Sequence, residues 1–335
     1  MSDRAALTDA FLAAQGWGKA GRAALPGDAS FRRYHRLDMG GKTALLMDAP
    51  PERENVRPYV TIARLLKRLG LSAPEIIAED PANGLLLIED FGDDTYMALL
   101  ARGHDEHALY RLAIDALIGL QRRFTPADGK GIPPYDDQRL LTEASLLTDW
   151  FLPAAAGRPT MEALRGEYLS IWHELFARAR GVPDTLVLRD YHIDNLMLLK
   201  GRAGVAACGV LDFQDAVIGP VSYDLVSLLR DARRDLAPGL AAAMYARYLD
   251  AFPQLDRAAF AASYAVLGAQ RSAKIIGIFT RLCVRDGKRM YLKHIPRVWR
   301  LLEADLSDPV LAPMRSWIDR NVPAQWRAIP ASLAA

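Results

Sequence analysis

The stretch LVLRDYHIDNLMLL (186–199), followed by VLDFQDAVIGPVSYDLVSLLRD (210–231), decides the fold. Its apolar runs TLVL, NLMLL and VAACGVLDF are short and strand-like, separated by polar or glycine-containing turns. Asp190 and Asn195 stand five residues apart between two such strands, and Asp212 ends the next one. Short polar side chains at strand ends ride on the rim of a rigid sheet, where reacting groups are usually held. One carboxylate, one carboxamide and a second carboxylate are hard oxygen ligands and candidate bases. Phosphoryl transfer asks for such a set: a group to orient and deprotonate an acceptor hydroxyl, and oxygens to hold Mg²⁺ against nucleotide phosphates. Taken singly, each residue is an ordinary turn former or solvated strand end. The pattern carries the reading.

Outward from this insert the chain has two styles. Residues 3–15 read as a short amphipathic helix stopped by Gly16. From Leu25 to Met47 the text is loop and strand, with Gly40-Gly41 as a hairpin signal. A helix follows at 58–69, with Pro58 in its first turn and Gly70 just past its end. The runs EIIAE (75–79) and GLLLIE (84–89) flank the turn signal DPANG as a second hairpin. Beyond Gly92 helical periods dominate, at 105–123, 138–151, 160–180, 222–235, 238–251 and 256–285, with a last pair near 290–304 and 310–320. The expectation is an α+β chain: a small sheet-bearing lobe over 1–91, a hinge near 89–94, and a mostly helical lobe over 92–335 that carries the strand insert.

Composition narrows the function classes. The chain has 335 residues, 51% hydrophobic and 24% charged, which excludes a disordered protein. Lys plus Arg (42) against Asp plus Glu (40) leaves +2, no charge signature of a nucleic-acid or membrane-surface binder. Two cysteines, Cys208 and Cys283, fit neither a disulfide scaffold nor a Cys-based zinc site. The opening MSDRAALTDAFLAAQGWGK has no signal-peptide core, and no apolar run approaches the ~18 residues of a membrane span. A cytoplasmic location is expected.

The spacing D-x-x-x-x-N, the later D-F-x-D and the string G-P-x-x-Y-D resemble the aminoglycoside phosphotransferase and choline kinase-like branch of the two-lobed protein-kinase-like fold. The resemblance covers nearly the whole chain. It implies Asp190 as catalytic base, Asn195 and Asp212 as Mg²⁺ ligands, Asp224 as a buried brace of the catalytic loop, and ATP as phosphoryl donor. Asp224 also suits a helix N-terminus, where a carboxylate meets the macrodipole. The strings GDASFRRYHR (27–36), MDAPPERENVRP (47–58), SLLRDAR (227–233) and QRSAKIIGIFTRLCVRDGK (270–288) resemble the bacterial anomeric sugar kinases of cell-wall recycling. Those enzymes phosphorylate the 1-hydroxyl of N-acetylmuramate and N-acetylglucosamine. By the same resemblance the crossing IEDFG (88–92) holds adenine through the Ile88 carbonyl and the Asp90 amide.

Two positions depart from the kinase pattern. Leu188 stands where H-R-D has its histidine, and no lysine stands near Met47 or Asp48, where the third strand should carry one. Arg32 and Arg33 are the candidate replacements, because a guanidinium grips phosphate oxygens in pairs. Gly27 and Ser30 in the same loop permit a tight turn with amides facing a phosphate. Paired arginines on a hairpin are as often simply solvated.

For the acceptor, a polycationic aminoglycoside calls for a bowl of carboxylates. The helical lobe offers instead Arg271, Lys274, Arg281 and Arg285, near one helix face. Such a stripe suits a substrate with a carboxylate, such as the lactyl group of N-acetylmuramate. His192, Asp215 and Asp231 are further candidates for sugar hydroxyls. The partners expected are a small sugar and ATP, with no nucleic acid and no membrane; oligomeric state has no signature here. Other readings are a kinase of the same fold acting on an aminoglycoside, choline or homoserine, and a non-catalytic nucleotide-binding regulator.

Overall fold

The computed structural model of the chain describes residues 2–26 and 31–334. It divides into two compact units: Met1–Arg123 with Ile193–Ala216, and Phe124–His192 with Val217–Ala335. This grouping does not follow a boundary at residue 91. The segment 89–94 lies inside the first unit, and so do Asn195 and Asp212.

The first unit is built on an antiparallel sheet of five strands in the order β1-β2-β3-β5-β4. They are β1 (Gly21–Ala24), β2 (Arg33–Met39), β3 (Lys42–Asp48), β4 (Ile76–Asp80) and β5 (Leu85–Ile88). β1 was not foreseen: GRAA is short and exposed throughout, so it has no apolar alternation to read. β5 is the opposite case, four apolar residues buried on both faces. Leu85 and Leu87 join Leu37, Leu46, Phe11 and Leu12 in one core, which ties the sheet to α1 (Ser2–Ala14). α2 (Arg57–Arg68) buries Tyr59, Val60, Ile62, Ala63, Leu65 and Leu66, the three-and-four spacing of an amphipathic helix. Pro58 opens it and Lys67 and Arg68 close it. α3 (Tyr96–Ala101) and α4 (Glu106–Arg123) complete the unit. The strand pair β7 (Leu196–Leu198) and β8 (Cys208–Val210) is tied in by the Val210 amide on the Ser72 carbonyl (2.8 Å) and the Leu198 amide on the Asp94 carbonyl (2.9 Å).

The second unit is mostly helical. Its strands are β6 (Asp184–Val187) and β9 (Val217–Pro220), paired antiparallel with Val187 opposite Val217. β9 is another unforeseen strand, because VIGP reads as a turn until its ladder is seen. The helices are α5 (Asp137–Leu146), α6 (Leu152–Ala156), α7 (Glu162–Ala179), α8 (Tyr223–Leu229), α9 (Leu240–Ala251), α10 (Arg257–Asp286), α11 (Ile295–Asp305), α12 (Ala312–Asn321) and α13 (Ala331–Ala334). The core gathers Trp172, Phe176, Trp299 and Trp317 around α10. Gly277 lets α10 approach the end of α5: a Cβ there would lie 2.3 Å from the Leu146 carbonyl. Two expected helices are shorter. The one expected over 138–151 passes into a π-helical turn at Leu147–Phe151. The one expected over 222–235 stops at Leu229, where Arg230 turns to φ −110°, ψ 47°. Asp231 therefore lies in a loop, not on a helix.

Candidate active site

In the second unit, β6 delivers the chain to Asp190 through a fixed turn. The buried Asp224 carboxylate accepts the amides of Leu188 (2.7 Å) and Arg189 (2.9 Å). Ser227 Oγ donates to the Arg189 carbonyl at 3.1 Å and accepts from Arg271 Nη2 at 2.8 Å. Arg189 itself has φ +69°, a left-handed conformation that long side chains rarely adopt. The Asp190 and His192 amides then close on the carbonyls of Leu188 and Asp190, at 2.9 and 3.1 Å.

A cavity of about 140 Å³ opens beside this turn. Asp190, His192, Asp231, Arg233, Arg271 and Lys274 give it charge and polarity, and Ile275, Ile278 and Phe279 form an apolar wall. Arg281 and Arg285 are not among its lining residues. They share the helical phase of Arg271 and Lys274, but α10 leaves the core towards its C-terminus. Arg285 is exposed there and pairs with Asp286 at 2.7 Å.

Burial and charge compete at each group. Burial pushes the Asp190 carboxyl up, yet Lys274, then His192, Arg271 and Arg189, outweigh it and hold it below the usual carboxylate range. Burial lowers His192 to about 4, helped by Arg233 and Arg271 against Asp190 and Asp231. The imidazole is thus neutral at pH 7. Burial raises Asp224 to about 7, opposed by the two amides it accepts. Asp231 is buried; its Oδ1 accepts the Arg233 amide at 2.6 Å, and its Oδ2 has no hydrogen-bond partner among the described residues.

The first unit holds the second cluster. Register Leu196 opposite Val210 puts Asn195 and Asp212 at the same end of the β7–β8 ladder, where the Leu211 amide donates to the Asn195 carbonyl at 2.9 Å. Asp212 is exposed at φ +55° and accepts Gln214 Nε2 at 2.8 Å. Among the described residues no three His, Cys, Asp or Glu side chains form a metal cage. A carboxamide oxygen beside a carboxylate nevertheless fits Mg²⁺, which takes few protein ligands and fills the rest with water and phosphate oxygens.

Arg32 reaches this cluster, with Nη2 3.8 Å from Asp212 Oδ1 and Nε 3.9 Å from Glu54 Oε2. Arg33, one residue on, begins β2 and is exposed. Ser30 and Gly27 lie outside the described residues. On β3 Met47 is buried, Asp48 pairs with Arg4, and the one lysine, Lys42, sits at the exposed start. Asp215 is exposed near Gln214 Nε2 (3.4 Å). Ile88 is core at the end of β5, and the Asp90 side chain is taken by Arg36 Nε at 2.7 Å and the Gly92 amide at 2.9 Å.

Sequence reading passed over Ser227, Arg233 and Glu143. Ser227 and Arg233 stand inside a string already singled out, SLLRDAR, so that string was a usable signal. Glu143 has none: TEASL on an amphipathic helix looks like any solvated turn.

Comparison with known proteins adds the lineage. Residues 22–260 match the family described as the phosphotransferase enzyme family. The chain is 41% identical over 361 aligned positions to the N-acetylmuramate/N-acetylglucosamine kinase of Caulobacter vibrioides, covering 97% of this chain and 99% of that one. It is 39% identical to the kinase of the same name from Pseudomonas aeruginosa, covering 89% and 88%. Among solved structures, the GDP complex of aminoglycoside 2′-phosphotransferase-IIIa superposes with a TM-score of 0.60 at 15% identity, over 91% of this chain and 98% of that one. That likeness shows the fold, the α+β protein-kinase-like one expected. The chain is a phosphotransferase and belongs to the phosphotransferase enzyme family, in the group formed by the N-acetylmuramate/N-acetylglucosamine kinases.

Proposed function

We propose that the protein transfers the γ-phosphoryl group of ATP to the anomeric hydroxyl of N-acetylmuramate and N-acetylglucosamine. The observation that carries this reading is the cavity with an ionised Asp190 at its wall, an unpaired Asp231 oxygen, three cationic side chains and one apolar strip. An amino sugar presents hydroxyls for the carboxylates and an acetyl methyl for the strip. The lactyl carboxylate of N-acetylmuramate adds an anion suited to Arg271 and Lys274.

Asp190 accepts a hydrogen bond from the acceptor hydroxyl, aims its oxygen at the γ-phosphorus, and takes the proton as the new O–P bond forms and the bond from the γ-phosphorus to the β-phosphate oxygen breaks, releasing ADP. Positioning supplies much of the rate in such a reaction. Asp231 Oδ2 and the neutral His192 hold other hydroxyls, and Asp215 is assigned to the sugar as well. On the nucleotide side, Asn195 and Asp212 would hold Mg²⁺, which when bound would offset charge on the phosphate oxygens. Arg32 meets the phosphates that a strand lysine would otherwise neutralise. The Ile88 carbonyl and the Asp90 amide face the adenine edge. Among the described residues no helix is long and apolar enough to cross a membrane. A cytoplasmic location, where ATP is supplied, completes the proposal.

The test is a panel of acceptors with Mg²⁺ and ATP, run on the wild type and on Asp190→Asn. Turnover of the two N-acetylated sugars, with a fall of about 10²–10⁴ in kcat in the folded variant, is expected. Turnover of kanamycin or choline but of neither sugar, or an undiminished Asp190→Asn, contradicts the reading.

A further inference from the structure

Four polar groups from three parts of the second unit converge on the side chain of Glu143. This carboxylate lies in the second turn of α5 and is largely buried. Its Oε1 accepts Lys274 Nζ at 2.8 Å and Arg189 Nη2; its Oε2 accepts the Tyr135 hydroxyl and, at 3.4 Å, Gln270 Nε2. The Tyr135 and Tyr223 hydroxyls stand 3.1 Å apart, and Tyr223 is the neighbour of Asp224. Arg189 also lies over the Tyr135 ring, 5.7 Å from its centroid.

The left-handed turn at Arg189 is strained for a side chain of that size. It persists because the residue is tied at every end: amide to Asp224, carbonyl to Ser227, guanidinium to Glu143. A residue fixed in this way aims the next one, Asp190. Stability alone does not call for the arrangement, since buried charge clusters are often no more stable than apolar packing of the same volume. Lys274 adds a second reason. It lines the cavity, and its charge weighs more on Asp190 than that of any other cation. Left without Glu143, a Lys274 ammonium would turn to Asp190 and occupy the carboxylate oxygens that an acceptor hydroxyl needs.

We propose that Glu143 is a positioning residue for the transfer: it locks the Arg189 guanidinium and the Lys274 ammonium and so fixes how Asp190 enters the cavity. The inference rests on Asp190 being the group that meets the acceptor hydroxyl.

Glu143→Gln and Glu143→Asp test it, with N-acetylglucosamine as acceptor because it offers Lys274 no carboxylate. Glu143→Gln lowers kcat about 100-fold, as a misplacement near 1 Å does, with both KM values within about threefold. Glu143→Asp keeps the charge and recovers about tenfold of the loss. Amide exchange over 186–192 rises in Glu143→Gln. A Glu143→Gln enzyme that keeps kcat within about twofold, loses activity through KM alone, or leaves that exchange unchanged overturns the proposal. Should Glu143→Gln not fold, Glu143→Asp decides: a folded variant with kcat down about tenfold supports positioning, and an unchanged kcat refutes it. A wild type inactive on every amino sugar removes the parent reading, while the exchange measurement still decides the role of Glu143.

Discussion

His192 sits between Arg233 and Arg271, which oppose its protonation, and Asp190 and Asp231, which favour it. Burial adds to the first pair and brings the imidazole down to about 4, against about 6.5 in an unfolded chain. The sign follows from proton uptake. Between those values the unfolded chain binds a proton that the folded one does not, so the stability is whole above pH 6.5 and is lost as pH falls towards 4. The full span is worth about 3 kcal/mol. Urea midpoints at pH 7.5 and pH 4.5 should therefore separate less in His192→Asn than in the wild type. An equal separation would place the acid sensitivity elsewhere. At this scale the sequence was informative where motif residues stand close in the chain: Asp190, Asn195 and Asp212 are visible as a spacing. It was silent on Glu143, whose meaning comes from Lys274, 131 residues away.

α10 is the element on which the cavity depends, since it carries Arg271 and Lys274 on its polar side and Ile275, Ile278 and Phe279 on its apolar strip. Gly277 sets how closely it lies to α5. In Gly277→Ala the added methyl meets main chain at 2.3 Å, which no side-chain rotation relieves. Helix propensity would favour alanine by up to about 1 kcal/mol, but overpacking against backbone costs about 1–3 kcal/mol or more. A lower thermal midpoint and a raised sugar KM are expected; a variant more stable than the wild type would contradict the close approach of α10 to α5 at Gly277. Long periodic helices such as α4, α7 and α10 were legible because many side chains repeat one signal. Short elements were not. β1 has no apolar alternation, β9 contains the Gly-Pro pair of a turn, and α8 ends at Leu229 because Arg230 takes up a tertiary ion pair with the buried Asp305 at 2.7 Å. No window of local sequence contains that partner.

Across the whole molecule, the residues assigned to the nucleotide belong to the first unit and those assigned to the sugar, Asp215 apart, to the second. The chain passes between the units at 192/193 and 216/217, on either side of the segment that contains Asn195 and Asp212. A boundary at residue 91 rests on apolar periodicity, which marks where strands are but not what they hydrogen-bond to. The near-neutral charge of +2 spread over 335 residues likewise says nothing of the local excess of cations around the cavity. Everything assigned to the two units converges on where the phosphoryl group goes. Phosphorus NMR of the product from N-acetylglucosamine, Mg²⁺ and ATP reads that position directly. Transfer to the anomeric oxygen predicts an acid-labile glycosyl phosphate whose phosphorus couples to the single anomeric proton; a signal split by the two protons of a 6-phosphate ester, or no sugar phosphate at all, would contradict it.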